Sequence, residues 1–174
     1  MDACGECGFT YADHVASALA TEIHALGGRF ETLLTNPSLD RTRLTTRLRP
    51  RTWSPVEYGC HVRDVLLAQR ERLLLALVEN EPTIVSIYRE KRAVLARYGD
   101  ETPGQVANGI AVAANLFAWT LNGLGGPDWD RTCIFSYPEP SRRTIAWLGQ
   151  HTLHEGEHHL LDIRRALEAD PMST

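Results

Sequence analysis

Twice in this chain a hydroxyl residue is followed at once by proline and two residues later by Glu or Gln, and each time a long apolar run at helical spacing begins. Ser54-Pro55-Val56-Glu57 and Thr102-Pro103-Gly104-Gln105 each carry both halves of a capping box, with proline where its fixed φ suits a first helical turn. They predict one helix from Ser54 to about Asn80 and another from Thr102 to the stop at Gly123-Leu124-Gly125-Gly126-Pro127. Thr10-Tyr11-Ala12-Asp13 reads as a further N-terminus, and Val15, Leu19, Ile23, Leu26, Phe30 and Leu33 carry that helix to Leu34 at steps of three and four. A last helix, capped by Ser141 or Thr144, runs to about Ala169.

Residues 35–53 lose the period at Asn36-Pro37 and Arg49-Pro50 and read as a loop with room for one helical turn. Between Glu81 and Gly99, the residues Ile84, Ile87, Tyr88, Val94 and Leu95 predict a shorter helix packed on the rim of the core. Asp128 to Arg143, with Pro138 and Pro140, reads as a loop over one end. With no alternating strand segments and no repeat, the expected fold is all-α: a single domain over 1–174 built as a four-helix bundle with a short additional helix. Connections of roughly 15 to 20 residues leave room for at least one crossover.

A chain of 174 residues, 43% hydrophobic, can bury a sizeable core without disulfides. Its net charge of −4 gives no attraction to nucleic acid or to an anionic bilayer. The longest nearly apolar stretch, Ile110 to Trp119, is too short to span a membrane, and the start MDACGECGFTY has no basic end followed by an apolar run. A soluble cytoplasmic protein acting on a small molecule is expected, with no nucleic-acid or membrane partner.

Four of the seven histidines, His151, His154, His158 and His159, fall within nine residues of the last helix. With Glu155 and Asp162 they occupy an arc of roughly 140° bordering the apolar arc of Ile145, Leu148, Leu153, Leu160 and Ile163. Imidazoles at that border need partners or a metal. His154 and His158, four apart, can reach one ion, and a third ligand from another helix is expected at His61, with Asp64 fixing its tautomer. Such a set suits zinc, nickel or iron. Asp64, Glu155, His159 and Asp162 are then candidates for supporting or proton-transfer roles.

Cys4-Gly5-Glu6-Cys7-Gly8 has the form of a zinc knuckle or a redox pair, and as a knuckle it needs two more ligands, from Cys60, Cys133 or a histidine. A reversible Cys4–Cys7 disulfide and a plain N-terminal tail are the alternatives. Arginines 41, 43, 47, 49 and 51 read as a solvated loop or as a clamp for the carboxylate or phosphate of an acidic thiol cosubstrate.

The segment Trp53-Ser54-Pro55-Val56-Glu57-Tyr58-Gly59-Cys60-His61-Val62-Arg63-Asp64 resembles the start of the second helix in the DinB/YfiT-like family, and His154-Glu155-Gly156-Glu157-His158-His159 resembles its last-helix motif. The resemblance implies a down-up-up-down four-helix bundle, a homodimer, and a divalent metal on His61, His154 and His158. Relatives resembling mycothiol-dependent maleylpyruvate isomerase imply a second register, Glu155 and His159 with Asp162 three residues on, and keep His61. The CxxC segment lies outside the general family pattern. The activity implied is metal-assisted transfer of a low-molecular-weight thiol such as mycothiol or bacillithiol. The alternatives are hydrolysis by activated water, or a non-catalytic metal-binding bundle linked to stress.

Overall fold

A computed structural model describes residues 3–169 of the chain. Its long helices are α1 (Leu19–Leu34), α3 (Pro55–Val78), α5 (Pro103–Asn122) and α6 (Ile145–Glu168), with short helices α2 (Arg41–Thr45) and α4 (Arg89–Leu95) between them. Both capping boxes form: Ser54 Oγ accepts from Glu57 N–H while Glu57 Oε2 accepts from Ser54 N–H, and Thr102 and Gln105 repeat the exchange. Asp40 caps α2 by accepting from Thr42 N–H, and Thr144, not Ser141, caps α6.

α1 packs on α5 and α6, and α3 packs on the same two helices. The consecutive pairs α1/α3 and α5/α6 therefore lie across the diagonals of the bundle, and the connections between them cross over its ends. Inside the four sit Leu19, Ile23, Leu26 and Phe30 from α1, Ile110 and Phe117 from α5, Leu66 and Leu73 from α3, and Leu148, Leu160 and Ile163 from α6, all essentially without exposure. Gly156 decides how α6 is turned about its axis: a Cβ there would overlap Leu26 of α1, so the backbone itself lies against that side chain.

Three segments depart from the sequence expectation. Residues 11–18 are not part of α1 but two 3₁₀ turns, Tyr11–Asp13 and Ala16–Ala18, with His14 and Val15 extended between them. Gln150 of α6 explains the break, since its Nε2 donates to the carbonyls of Tyr11 and His14 that a continuing helix would need for itself. In α4 the inward residue is Ala93, while Val94 and Leu95 are 75% and 83% exposed, so that helix does not pack as expected.

The third departure is a small sheet, formed where a loop was expected over residues 128–143 and where Ile84 was expected in the short helix between Glu81 and Gly99. β1 (Thr83–Ile84) pairs parallel with β2 (Thr132–Phe135), which pairs antiparallel with β3 (Ser141–Thr144). Cys133 and Phe135 alternate inward along β2, and Arg131 anchors its start by donating to the Ala76 and Glu79 carbonyls at the end of α3. This sheet closes one side of the cleft between α3 and α6. No helix among the described residues is long and apolar enough to cross a membrane.

Candidate metal centre

His61 lies two turns into α3 and is 2% exposed, its ring held between Trp53 and His159 with centroids at 5.2 and 5.0 Å. Across from it α6 presents Glu155 and His159, one turn apart. Glu155 Oε2 is 3.8 Å from His61 Nε2 and 3.9 Å from His159 Nε2, so the three side chains bring donor atoms to one point. Those separations are too long for hydrogen bonds but close to the roughly 3.4 Å expected between two ligands 2.1 Å from one tetrahedral zinc. His61 makes no hydrogen bond at either nitrogen, so no protein group competes for the Nε2 that faces Glu155 and His159. Two imidazoles and a carboxylate thus fit a divalent metal such as zinc.

Supporting groups surround these three. His159 Nδ1–H donates to Asp162 Oδ2 at 2.9 Å, which fixes the tautomer and leaves the Nε2 lone pair facing Glu155. Burial alone would raise the Glu155 carboxyl, but the facing rings of His61, His151 and His159 bring it down to about 2. Burial depresses His61 and takes His151 to about 4, so both imidazoles are neutral at pH 7.

The expected set of His61, His154 and His158 does not assemble. His154 and His158 lie about 160° round α6 from Gly156 on either side, on its outer face, whereas Glu155 and His159 both turn toward α3. The outer pair meets Cys4 and Cys7 of the N-terminal segment instead. Asp64 also departs from its expected role: it accepts from Tyr98 Oη–H at 2.8 Å and from Arg63 and Arg92, and does not touch His61. In the arginine-rich loop, Arg47 is committed to Glu57 and Arg43 to the carbonyls of Leu167 and Ala169, so neither is free to clamp an anion.

Sequence reasoning did not single out the cleft beside the centre, a half-open space of about 180 Å³. His61 and Glu155 form part of its wall with Gln69, Arg72, Phe135 and His151. Gln69 and Arg72 come from the inward face of α3 four and seven residues beyond Val65, and the sheet that supplies Phe135, together with Ser86, Ile87 and Arg89, makes that face a cleft wall. Arg72 donates to Gln69 Oε1 at 3.1 Å and to the Val85 carbonyl, with its guanidinium over the Phe135 ring. Tyr11 stands behind His151: its hydroxyl lies 2.9 Å from His151 Nδ1 and 3.2 Å from His154 Nδ1.

The sequence profile of the DinB superfamily matches residues 11–163. A protein of Halalkalibacterium halodurans named "Putative metal-dependent hydrolase" is 29% identical over 151 residues, covering 84% of this chain and 82% of that protein. YfiT from Bacillus subtilis, described as a probable metal-dependent hydrolase with an unusual four-helix bundle topology, superposes with a TM-score of 0.75 at 16% identity, over 87% of this chain and 85% of that one.

Proposed function

The chain belongs to the DinB superfamily, and from that membership and the geometry above we propose that it is a metal-dependent hydrolase of a small anionic substrate, with His61, Glu155 and His159 holding the ion. The observation that carries this reading is that the three donors converge on the wall of a cleft, so that three protein ligands leave a side open to substrate. A divalent ion held there supplies Lewis acidity and water acidified to near neutral pH. The protein's own groups do the rest. Asp162 holds the His159 proton on Nδ1, and Glu155 stays a carboxylate throughout the working range of pH. His151, kept neutral by burial, turns its Nε2 edge toward Glu155 Oε1 at 3.9 Å, where it can hydrogen-bond a substrate oxygen or carry a proton. Arg72, steadied by Gln69 and Val85, offers its charge to a carboxylate or phosphate, and Phe135 offers an apolar face.

Thiol transfer is the competing chemistry, because a low-molecular-weight thiol can take the place of water at the same open side. Full-length protein loaded with zinc is to be assayed against small amides, esters and phosphate esters carrying a carboxylate, and in parallel with mycothiol or bacillithiol and an electrophile panel. The proposal expects hydrolysis that disappears in His61→Ala and Glu155→Gln, with one metal equivalent lost from His61→Ala. Turnover only in the thiol arm, or unchanged metal content in His61→Ala, overturns it.

A further inference from the structure

The geometry points to a second, closed metal site in which Cys4, Cys7, His154 and His158 hold a zinc ion and clasp the N-terminal segment to the outer face of α6. It stands apart from the centre on His61, and its donor set is different: two thiolates and two imidazoles, whose ligand atoms all lie within 4.8 Å of one another. Cys4 Sγ is 3.7 Å from His158 Nδ1. A tetrahedral ion 2.3 Å from sulfur and about 2.05 Å from nitrogen requires roughly 3.6 Å between those atoms.

The backbone is shaped for the purpose. Gly8 N–H donates to the Cys4 carbonyl at 2.9 Å, Cys4 N–H donates to the Phe9 carbonyl at 2.8 Å, and Gly8 takes φ +74° to close the turn. The Cys-x-x-Cys-Gly turn so formed places both sulfurs on the side facing α6. His154 Nε2 is buried with no hydrogen-bond partner in the protein, although its Nδ1 is engaged by Tyr11, so a buried lone pair is left for an ion. His158 turns its other nitrogen, Nε2, toward Glu6 and Asp162 at 3.6 and 3.7 Å, carboxylates suited to hold the proton of a ligating imidazole.

The thiols agree with this. Burial opposes ionisation of Cys4, yet backbone N–H groups at Cys7 and Glu6 and the rings of His154 and His158 bring it down to about 6. Cys7 is pushed up, first by burial and then by Cys4 beside it. Without a cation the second thiolate is disfavoured; with one, both thiols lose their protons to solvent as two Zn–S bonds form. Four protein ligands leave no open position, so the role is structural.

One consequence reaches the cleft. A ligating His154 Nε2 puts that ring's proton on Nδ1, which donates to the Tyr11 oxygen. The Tyr11 hydroxyl proton is then directed to His151 Nδ1, and His151 is left with its proton on Nε2, facing Glu155. The N-terminal clasp thereby sets the tautomer of a residue in the cleft.

Cobalt distinguishes the two sites, because only a thiolate ligand gives an intense near-ultraviolet charge-transfer band. Metal-free, reduced, full-length protein titrated with Co²⁺ is expected to develop that band in the wild type and in His61→Ala, and to lose it in Cys4→Ser/Cys7→Ser. Zinc content should fall from two equivalents to one in each variant. As a check that needs no variant, zinc should slow the reaction of Cys4 and Cys7 with a thiol reagent at least tenfold; Cys60 and Cys133 are fully buried. Absence of the band in the wild type, its persistence in the double variant, or thiol reactivity indifferent to zinc overturns the proposal.

Discussion

Replacing Gly156 by alanine tests whether the contact between α6 and α1 sets the orientation of both donor pairs. In a helix interior alanine is favoured over glycine by about 1 kcal/mol, so propensity alone predicts a more stable protein. The new Cβ would overlap Leu26 Cδ2 and lie 3.1 Å from both Cδ1 and Cγ, so the whole buried side chain, not one terminal methyl, must give way. Overpacking of that kind costs about 1–3 kcal/mol, and Leu26, at 0% exposure, puts this case in the upper half. A net loss of about 1–2 kcal/mol is expected, which lowers Tm by roughly 2–8 °C for a domain of this size. Gly28 of α1 is the control: a Cβ there meets nothing within 4 Å, so Gly28→Ala should gain about 0.5–1 kcal/mol. Urea titration in EDTA separates packing from metal binding, and zinc titration of the same variants then shows whether the shifted helix weakens the His61 centre. If Gly156→Ala matches or exceeds the wild type in stability while Gly28→Ala behaves as expected, the packing argument fails.

Asp162→Ala removes the acceptor that holds the His159 tautomer, so zinc affinity at the His61 centre should fall about 10–100-fold in a competition titration with little change in fold. Tyr11→Phe strips the hydroxyl shared by His151 and His154; turnover should drop while zinc content stays within one tenth of the wild type, as kinetics and metal analysis on one preparation would show. Glu57 is pulled two ways, raised by burial but lowered further by Arg47 and Ser54, so its net pKa lies below the ordinary carboxylate value. Its contribution is therefore complete above the unfolded pKa and lost as pH falls through the folded one. With Arg47 39% exposed and screened, Glu57→Gln should cost about 1 kcal/mol at pH 7, and the gap to wild type should close below about pH 4 in urea titrations.

The helices were legible because their ends carry chemistry of their own: α3 and α5 start where their capping boxes say, and α6 starts at Thr144. The sheet was not, since β1 has only two residues and its pairing with β2 spans some fifty positions, a partnership that no local pattern encodes. Residues 11–18 carry a helical apolar period, yet Gln150, far along the chain, takes two of their carbonyls.

The site is the more instructive case. Two pairs spaced by one helical turn, His154 with His158 and Glu155 with His159, interleave on one helix, and spacing alone gives both the same standing. What separates them is which residue of α6 faces the core, and Gly156, without a side chain to register as apolar, marks that direction. Measured from Gly156, Glu155 and His159 fall about 100° and 60° to the side of α3, within reach of His61, while the histidine pair faces outward. An outward pair of half-buried imidazoles needs a cover, and the only cysteine pair at knuckle spacing lies in the segment that lies over it. The helical wheel and the cysteine motif each carried half of that assignment. Asp162, whose Oδ2 lies 2.9 Å from His159 Nδ1 and 3.7 Å from His158 Nε2, is where the two halves touch, so changes at the outer pair should be felt at the inner one through this carboxylate.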